Sequence, residues 1–354
     1  MHVSGDLLNL PRTRKILYVG DPRPGCTSAH RLASLKRLQQ DVICVDVPSY
    51  HSNWKPLAVA MDRIPIYPLV RRINRDLLRR AAQFKPDVVW FDKPIHFTRA
   101  TISALKFNGA DTVCYNLDNP FGPRNDGIWY QFKRVFRFFD LHCVPRSVDV
   151  ERYRAWGLPH VKILLSYEPS AHYPPPAHWP DSKRDRQISY IGAPYEDRAP
   201  FLLALAESQA LPVSIDGYGW HWVFNKAQLK QYVRYGYLVG DPYREHIWRS
   251  RINLSFLTRL NEEDIAHKSV EIAACQGFLL ALRCEGHQAI FEEDKEAVFF
   301  SSVEECADKC RFYLNRPDLR EAIAHRGRER AVRSGYDNDT QMARILNRLD
   351  GADV

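Results

Sequence analysis

The chain has 354 residues, 45% hydrophobic and 12% aromatic, enough apolar surface for about two domains and too much for an intrinsically disordered protein. Its net charge of +8 gathers in two arginine-rich segments, 71–80 and 316–333. That leaves open a phosphate-bearing ligand, an anionic lipid surface or a solvated face, while the lack of a helix-turn-helix, zinc-finger or RNA-binding aromatic motif argues against nucleic acid.

The eight cysteines stand singly with no CxxC pair, as expected of reduced thiols rather than a disulfide framework or a zinc site. No run approaches the roughly eighteen apolar residues of a membrane span, and the polar leader MHVSGDLLNLPRTRK has no signal-peptide core. The expectation is a soluble, cytoplasmic protein.

KILYV at 15–19 reads as a first strand closed by Gly20, and the loop GDPRPG leads to Thr27 or Ser28 as a helix N-cap. Ala29, Leu32, Leu35 and Leu38 then fall on one helical face. This is the opening of a Rossmann-like half, but GDPRPG is not G-x-G-x-x-G, and Gly20 fits a tight turn as well as a substrate-facing loop. DVICVDV (41–47), DVVWFD (87–92) and DTVCYNLD (111–118) follow as apolar runs separated by helical stretches, the pattern of a parallel sheet buried on both faces.

The third strand ends in DKPIHFT, placing Asp92, Lys93 and His96 at its carboxyl edge; the fourth ends in NLDNPFGPRND, placing Asp118, Asn119 and Arg124 there. Such loops suggest a substrate-facing rim, although a strand-end Asp also serves as an N-cap and a single His is commonly structural. In WYQFKRVFRFF (129–139), Trp129, Phe132, Phe136 and Phe139 share a helical face, with Lys133, Arg134 and Arg137 around it. The segment fits a buried helix with a basic outer side, or an interfacial helix touching anionic lipid. Residues 140–144 and 161–165 complete the first sheet.

YEPSAHYPPPAHWP (167–180) is the proline-dense stretch expected to link two domains. The pattern then restarts with QISYIG (187–192), a strand ending in Gly192, followed by Arg198 on a polar loop and a helix beginning at Phe201, Leu202 and Leu205. LPVSIDGYG (211–219) is a strand ending in glycines that include Gly217. The strand at 253–257 precedes the acids Glu262, Glu263 and Asp264, then a helix with His267, Lys268 and Glu271 in its first turns. Gly277 stands where a C-terminal glycine stops a helix, and 278–282 returns as a buried strand. A helix N-terminus at a strand's carboxyl end favours phosphate, a carboxylate there can accept from ribose hydroxyls, and an ammonium can offset a diphosphate. Glu271 and Lys268 also fit a simple helix-surface pair.

KSVEIAACQGFLL, followed by IFEEDKEAVFFSSVEE, resembles the donor-domain signature of group 1 glycosyltransferases, in particular the spore-maturation-protein (CgeB-like) branch. The resemblance is clear over about 187–330 and weak in the first half. It implies an α/β GT-B fold, two Rossmann-like domains facing a central cleft, with an acceptor-side domain over 1–170, a nucleotide-sugar donor domain over 171–334 and a helix at 335–354 crossing back. It implies that Glu271 holds the nucleotide ribose, that Glu263 is the first Glu of the Glu-to-Glu spacing of retaining members, and that Arg198 meets the diphosphate. Gly192, Gly217 and His267 join Lys268 on the donor side. The branch usually has Arg where this chain has Lys268, which keeps the charge but not a bidentate fork. Asp118 becomes a candidate base, with His96 as a further catalytic candidate and Gly20, Asn119 and Arg124 on the acceptor side.

The activity so implied is transfer of a sugar from a nucleotide-diphosphate donor to a cell-surface glycan, lipid-linked or other acceptor. No DxD-like acidic cluster ends a strand, so the expectation is a metal-independent enzyme with no cofactor beyond its co-substrate. Contact of Glu263 with the donor sugar favours retention, and deprotonation of the acceptor by Asp118 gives inversion; retention is the expectation. Two other readings stay open: a nucleotide-sugar epimerase of the same architecture, and a non-enzymatic protein bound to the anionic inner membrane face.

Overall fold

The computed structural model describes residues 11–64, 67–123, 127–177 and 179–351. The chain divides into two compact units: Met1–Leu164 with Leu260–Glu262 and Asn338–Val354, and Leu165–Arg259 with Glu263–Asp337.

The first unit contains β1 (Lys15–Gly20), β2 (Asp41–Asp46), β3 (Val88–Asp92), β4 (Asp111–Tyr115), β5 (Leu141–Val144) and β6 (His160–Lys162). They pair in parallel in the order β2-β1-β3-β4-β5-β6. Helices α1 (Thr27–Arg37), α2 (Lys55–Arg63), α3 (Tyr67–Phe84), α4 (Arg99–Phe107), α5 (Tyr130–Val135) and α6 (Ser147–Ala155) connect them. The run Ile16–Val19 is apolar throughout because each sheet face is covered. Leu17 and Val19 pack with Ile73, Leu77 and the aromatic segment. Ile16 and Tyr18 pack with Leu32 and Leu35 of α1 and with Met342, Ile345 and Leu346 of a C-terminal helix that belongs to this unit.

Trp129, Phe132, Phe136 and Phe139 are all core residues, while Lys133, Arg134 and Arg137 are exposed. The segment is α5 followed by a 3-10 turn at Phe136–Phe138, not one continuous helix. The arginines at 71, 72, 75, 79 and 80 form the solvated face of amphipathic α3.

The second unit contains β7 (Arg186–Ile191), β8 (Val213–Asp216), β9 (Val233–Tyr235), β10 (Ser250–Ser255), β11 (Leu279–Leu282) and β12 (Val298–Phe300), parallel in the order β12-β11-β10-β7-β8-β9. Its helices are α7 (Arg198–Leu203), α8 (Lys226–Tyr232), α9 (Asp241–Arg249), α10 (His267–Ala274), α11 (Glu285–Ile290), α12 (Val303–Leu314) and α13 (Pro317–Arg333); the C-terminal helix is α14 (Asn338–Leu349). The three-residue strands β9 and β12 carry too little periodicity to be read from sequence.

Gly277 does not take the left-handed position after α10. Gln276 does, at φ 56°. Gly277 is needed for space instead, since a Cβ there would lie 2.6 Å from Ile247 Cγ2 and 3.0 Å from Asn253 Nδ2.

The proline-dense stretch is packed onto the second unit rather than hanging as a free linker. The Tyr167 amide donates to the Tyr336 carbonyl at 3.0 Å, and the Trp248 indole N–H donates to the Tyr173 carbonyl at 3.0 Å. The Arg244 guanidinium lies 3.9 Å above the Tyr173 ring. No helix among the described residues is long and apolar enough to cross a membrane.

Candidate functional site

The carboxyl ends of β7 and β8 are drawn together by glycine. The Gly192 amide donates to the Asp216 carbonyl at 2.8 Å, and the Trp220 indole N–H donates to the Gly192 carbonyl at 2.8 Å. A Cβ on Gly217, whose φ is +138°, would lie 2.2 Å from the Gly192 oxygen. Gly192 borders a pocket at this edge, and Gly217 fixes the backbone behind it.

That pocket encloses about 180 Å³ and is lined by Tyr190, Arg198, Thr258, Glu263, His267 and Lys268, among others. Arg198 opens α7 and also lines a neighbouring pocket of about 220 Å³ walled by Phe201, Phe256, Leu282 and Val303. Its guanidinium donates to the Tyr190 hydroxyl at 3.0 Å, the Thr258 hydroxyl at 2.8 Å and the Leu257 carbonyl at 3.2 Å, while its buried Nε has no partner among the described residues. Glu263 accepts from the Thr258 amide at 2.8 Å, which folds the acidic loop back against the pocket wall. The N-cap residue of α10 is Ala266, which has no polar side chain to cap it, and the Ser269 amide turns back to the Ala266 carbonyl at 2.9 Å; the amides of His267 and Lys268, which line the pocket, make no hydrogen bond among the described residues. His287 anchors this helix start from beneath, accepting from the Ala266 amide at 3.2 Å and donating from Nδ1 to the Leu282 carbonyl at 2.8 Å.

Glu271 follows Lys268 by one turn of α10. The Tyr243 hydroxyl, from α9, donates to its Oε2 at 2.5 Å. His172 Nε2 lies 3.7 Å and His267 Nε2 3.8 Å from Oε1, too far for a hydrogen bond. Oε1 therefore keeps its acceptor capacity among the described residues. Burial works to raise the Glu271 carboxyl, but His172, His267, Lys268 and the Tyr243 hydroxyl outweigh it and hold it at about 2. His172 is itself pushed below the ordinary histidine value by burial, and its Nδ1 accepts from the Glu168 amide at 3.0 Å. Burial lowers the Lys268 ammonium and Glu271 opposes that shift. The ammonium makes no hydrogen bond or ion pair among the described residues, and the Tyr243 ring centre is 5.9 Å away.

Tyr243 and His172 gave no signal in the sequence. One lies on a short polar helix and the other in the proline-dense stretch; only packing brings them to Glu271.

In the first unit, Asp118 pairs with Lys93 at 2.7 Å, both partly exposed. Asn119 is buried and committed: its amide donates to Asn261 at 2.9 Å, its Nδ2 to Glu262 at 2.6 Å, and its Oδ1 accepts from the Phe121 amide at 3.0 Å. Glu262 also binds Arg152 at 2.9 Å, so of the consecutive acids Glu262 serves the first unit and Glu263 the second. Gly20 permits a close approach, since a Cβ there would lie 2.6 Å from Ser28 Oγ and 3.0 Å from the Asp92 Cβ. Asp92 is locked by Arg31 at 2.6 Å and by the Tyr18 hydroxyl at 2.6 Å. His96 is 2% exposed beside Asp62 and His51. Arg124 lies outside the described residues.

Residues 198–347 match the model of a family described as glycosyl transferase-like. No curated protein matches the chain in sequence. Solved structures similar in fold include Anabaena HepE in complex with UDP-glucose (13% identity, 96% of this chain and 100% of that chain, TM-score 0.65). Sucrose-phosphate synthase from Thermosynechococcus elongatus is similar over 97% of this chain and 100% of its own (12% identity, TM-score 0.67). A trehalose-6-phosphate synthase is similar over 96% and 99% (12% identity, TM-score 0.63). The chain thus has the two parallel-sheet α/β domains of GT-B glycosyltransferases, with a glycosyl transferase-like segment over 198–347.

Proposed function

We propose that this protein is a glycosyltransferase that takes a sugar from a nucleoside-diphosphate donor, a UDP-sugar first among them, and passes it to a glycan, lipid-linked or other acceptor. The observation that carries the reading is Glu271, a largely buried carboxylate with one oxygen held by Tyr243 and the other open, one helical turn from an unpaired Lys268 that lines the pocket. One carboxylate oxygen has two lone pairs and can accept from both hydroxyls of a ribose. Lys268, Arg198 and the uncapped start of α10 then face a diphosphate with positive potential, which supports a reaction that needs no metal ion at the leaving group.

Support for UDP comes from HepE, whose structures hold UDP-glucose, UDP and glucose. Retention is supported by Glu263 at the pocket wall and by the trehalose-6-phosphate synthase neighbour, described in terms of glycosyl transfer with retention. Asp118, half-exposed beside Lys93, serves on this reading as base or acceptor-hydroxyl ligand, with His96 as a further catalytic candidate and Gly20, Asn119 and Arg124 on the acceptor side. The exposed arginines of α3, with Trp54, Val59 and Ile64 exposed around α2, favour cytoplasmic work in peripheral contact with an anionic inner membrane face.

The test is calorimetric titration of UDP, GDP, dTDP and CMP, with and without Mg²⁺, into the wild-type chain and Glu271→Ala. Tight binding of one diphosphate, unchanged by Mg²⁺ and weakened about 10- to 100-fold by the substitution, is expected. Equal affinity in the two proteins, or binding of none, overturns the donor assignment.

A further inference from the structure

At the carboxyl edge of the first unit's sheet, three donor atoms from separate elements converge: His51 Nε2 after β2, Asp62 Oδ1 on α2 and His96 Nε2 after β3. All lie within 4.8 Å of one another. His51 Nε2 is 2.8 Å and His96 Nε2 3.4 Å from the same Asp62 oxygen. His96 is 2% exposed, and its Nε2 has no hydrogen-bond partner among the described residues.

The donor atoms of this cluster suit a cation. His51 Nδ1 lies 3.3 Å from the Val47 carbonyl, an acceptor, so Nδ1 carries the proton. In a neutral ring Nε2 then turns a lone pair onto a carboxylate oxygen, which is repulsive. Protons on both Nε2 atoms also bridge to Asp62, at 2.8 and 3.4 Å, so what favours a metal is that three donor atoms from separate elements face one point and the His96 nitrogen there is buried. A metal ion satisfies all three atoms together. Metal-binding histidines commonly show this pattern, the second ring nitrogen held by a backbone carbonyl. The loop bearing His96 is braced as well: Asn74 Nδ2 donates to the His96 carbonyl at 2.9 Å, and the Thr98 amide donates to Asn74 Oδ1 at 3.1 Å.

We infer that His51, Asp62 and His96 form a binding site for one divalent transition-metal ion of the Zn²⁺ class. Two imidazoles and one carboxylate suit Zn²⁺ or its neighbours rather than Mg²⁺ or Ca²⁺, which take oxygen ligands. With metal–ligand bonds of about 2.0–2.1 Å, tetrahedral ligands sit roughly 3.4 Å apart, the present His96–Asp62 separation. Closure requires the 2.8 Å His51–Asp62 contact to open by about half an ångström. Three protein ligands leave a fourth position for water or a substrate oxygen, on the side where the Asp62 side chain is 42% exposed. The ion would join the ends of β2 and β3; its ligands belong to the first unit, and the Arg198 and Lys268 of the proposed donor pocket belong to the second.

The full chain, stripped by chelator, is titrated with Zn²⁺ by calorimetry and with Co²⁺ by visible absorption. One Zn²⁺ per chain, a tetrahedral Co²⁺ spectrum and a rise in Tm of about 5 °C or more at saturation are expected, with no competition from excess Mg²⁺. His51→Ala and Asp62→Asn should each abolish the tight site, while His325→Ala, at an exposed position, should leave it intact. Circular dichroism and a cooperative melt establish that the variants fold. Should both unfold, X-ray absorption of the wild-type Zn²⁺ complex decides, with two imidazole ligands upholding the site and any other set overturning it. No binding, or equal binding by folded variants, overturns it too.

Discussion

The Tyr243 hydroxyl donates to Glu271 Oε2 at 2.5 Å, and this bond joins α9 to α10 one helical turn beyond Lys268, which lines the pocket. Tyr243 is buried, and its phenol is pushed well above the ordinary value by that burial and by Glu271, so it stays a donor at any working pH. Tyr243→Phe removes a hydrogen bond to a largely buried charge. The expected cost is about 1.5–3 kcal/mol of stability, read by urea denaturation, with a parallel loss of nucleotide affinity.

The same carboxylate gives a pH signature. Glu271 is held at about 2, below the ordinary glutamate value of 4.5. The folded state thus binds its proton less readily than the unfolded chain. Its stabilising contribution is complete above pH 4.5 and is lost as the pH falls toward 2. Unfolding free energies of wild type and Glu271→Gln, measured across this range, should converge as acid removes the wild-type advantage. A constant difference would show that the Glu271 charge is not what the folded state favours.

Lys268 separates phosphate recognition from nucleoside recognition. Lys268→Ala should weaken UDP by about 10- to 100-fold, the loss of a charge-assisted contact, while leaving uridine nearly unchanged. Lys268→Arg keeps the charge and should recover most of the UDP affinity. If uridine and UDP weaken together, Lys268 shapes the pocket rather than neutralising phosphate.

The end of α10 tests space against conformation at adjacent residues. Gly277→Ala pushes a Cβ to within 2.6 Å of Ile247 and should cost about 1–3 kcal/mol through overpacking. Gln276→Gly relieves a left-handed residue at φ 56° and should gain up to about 1 kcal/mol. Chemical denaturation of the two variants should therefore give shifts of opposite sign.

What the sequence determined by itself was what repeats along the chain. Runs such as ILYV (16–19) and VVWF (88–91) are apolar at every position because a parallel sheet covered on both faces buries each of these residues, and that requirement is met locally. The helix carrying His267, Lys268 and Glu271, opening after a strand, was legible for the same reason. The aromatic segment at 129–139 admitted two partners, and only packing made it the cover of the first sheet. Gly277 was placed correctly for the wrong reason, since a φ angle and a steric contact leave the same letter in the sequence. Tertiary structure alone brought Tyr243 and His172 to Glu271, and His51, Asp62 and His96 to one point. Such convergence is set by how strands and helices stack, and residues meeting from different elements share no spacing that a linear pattern could record.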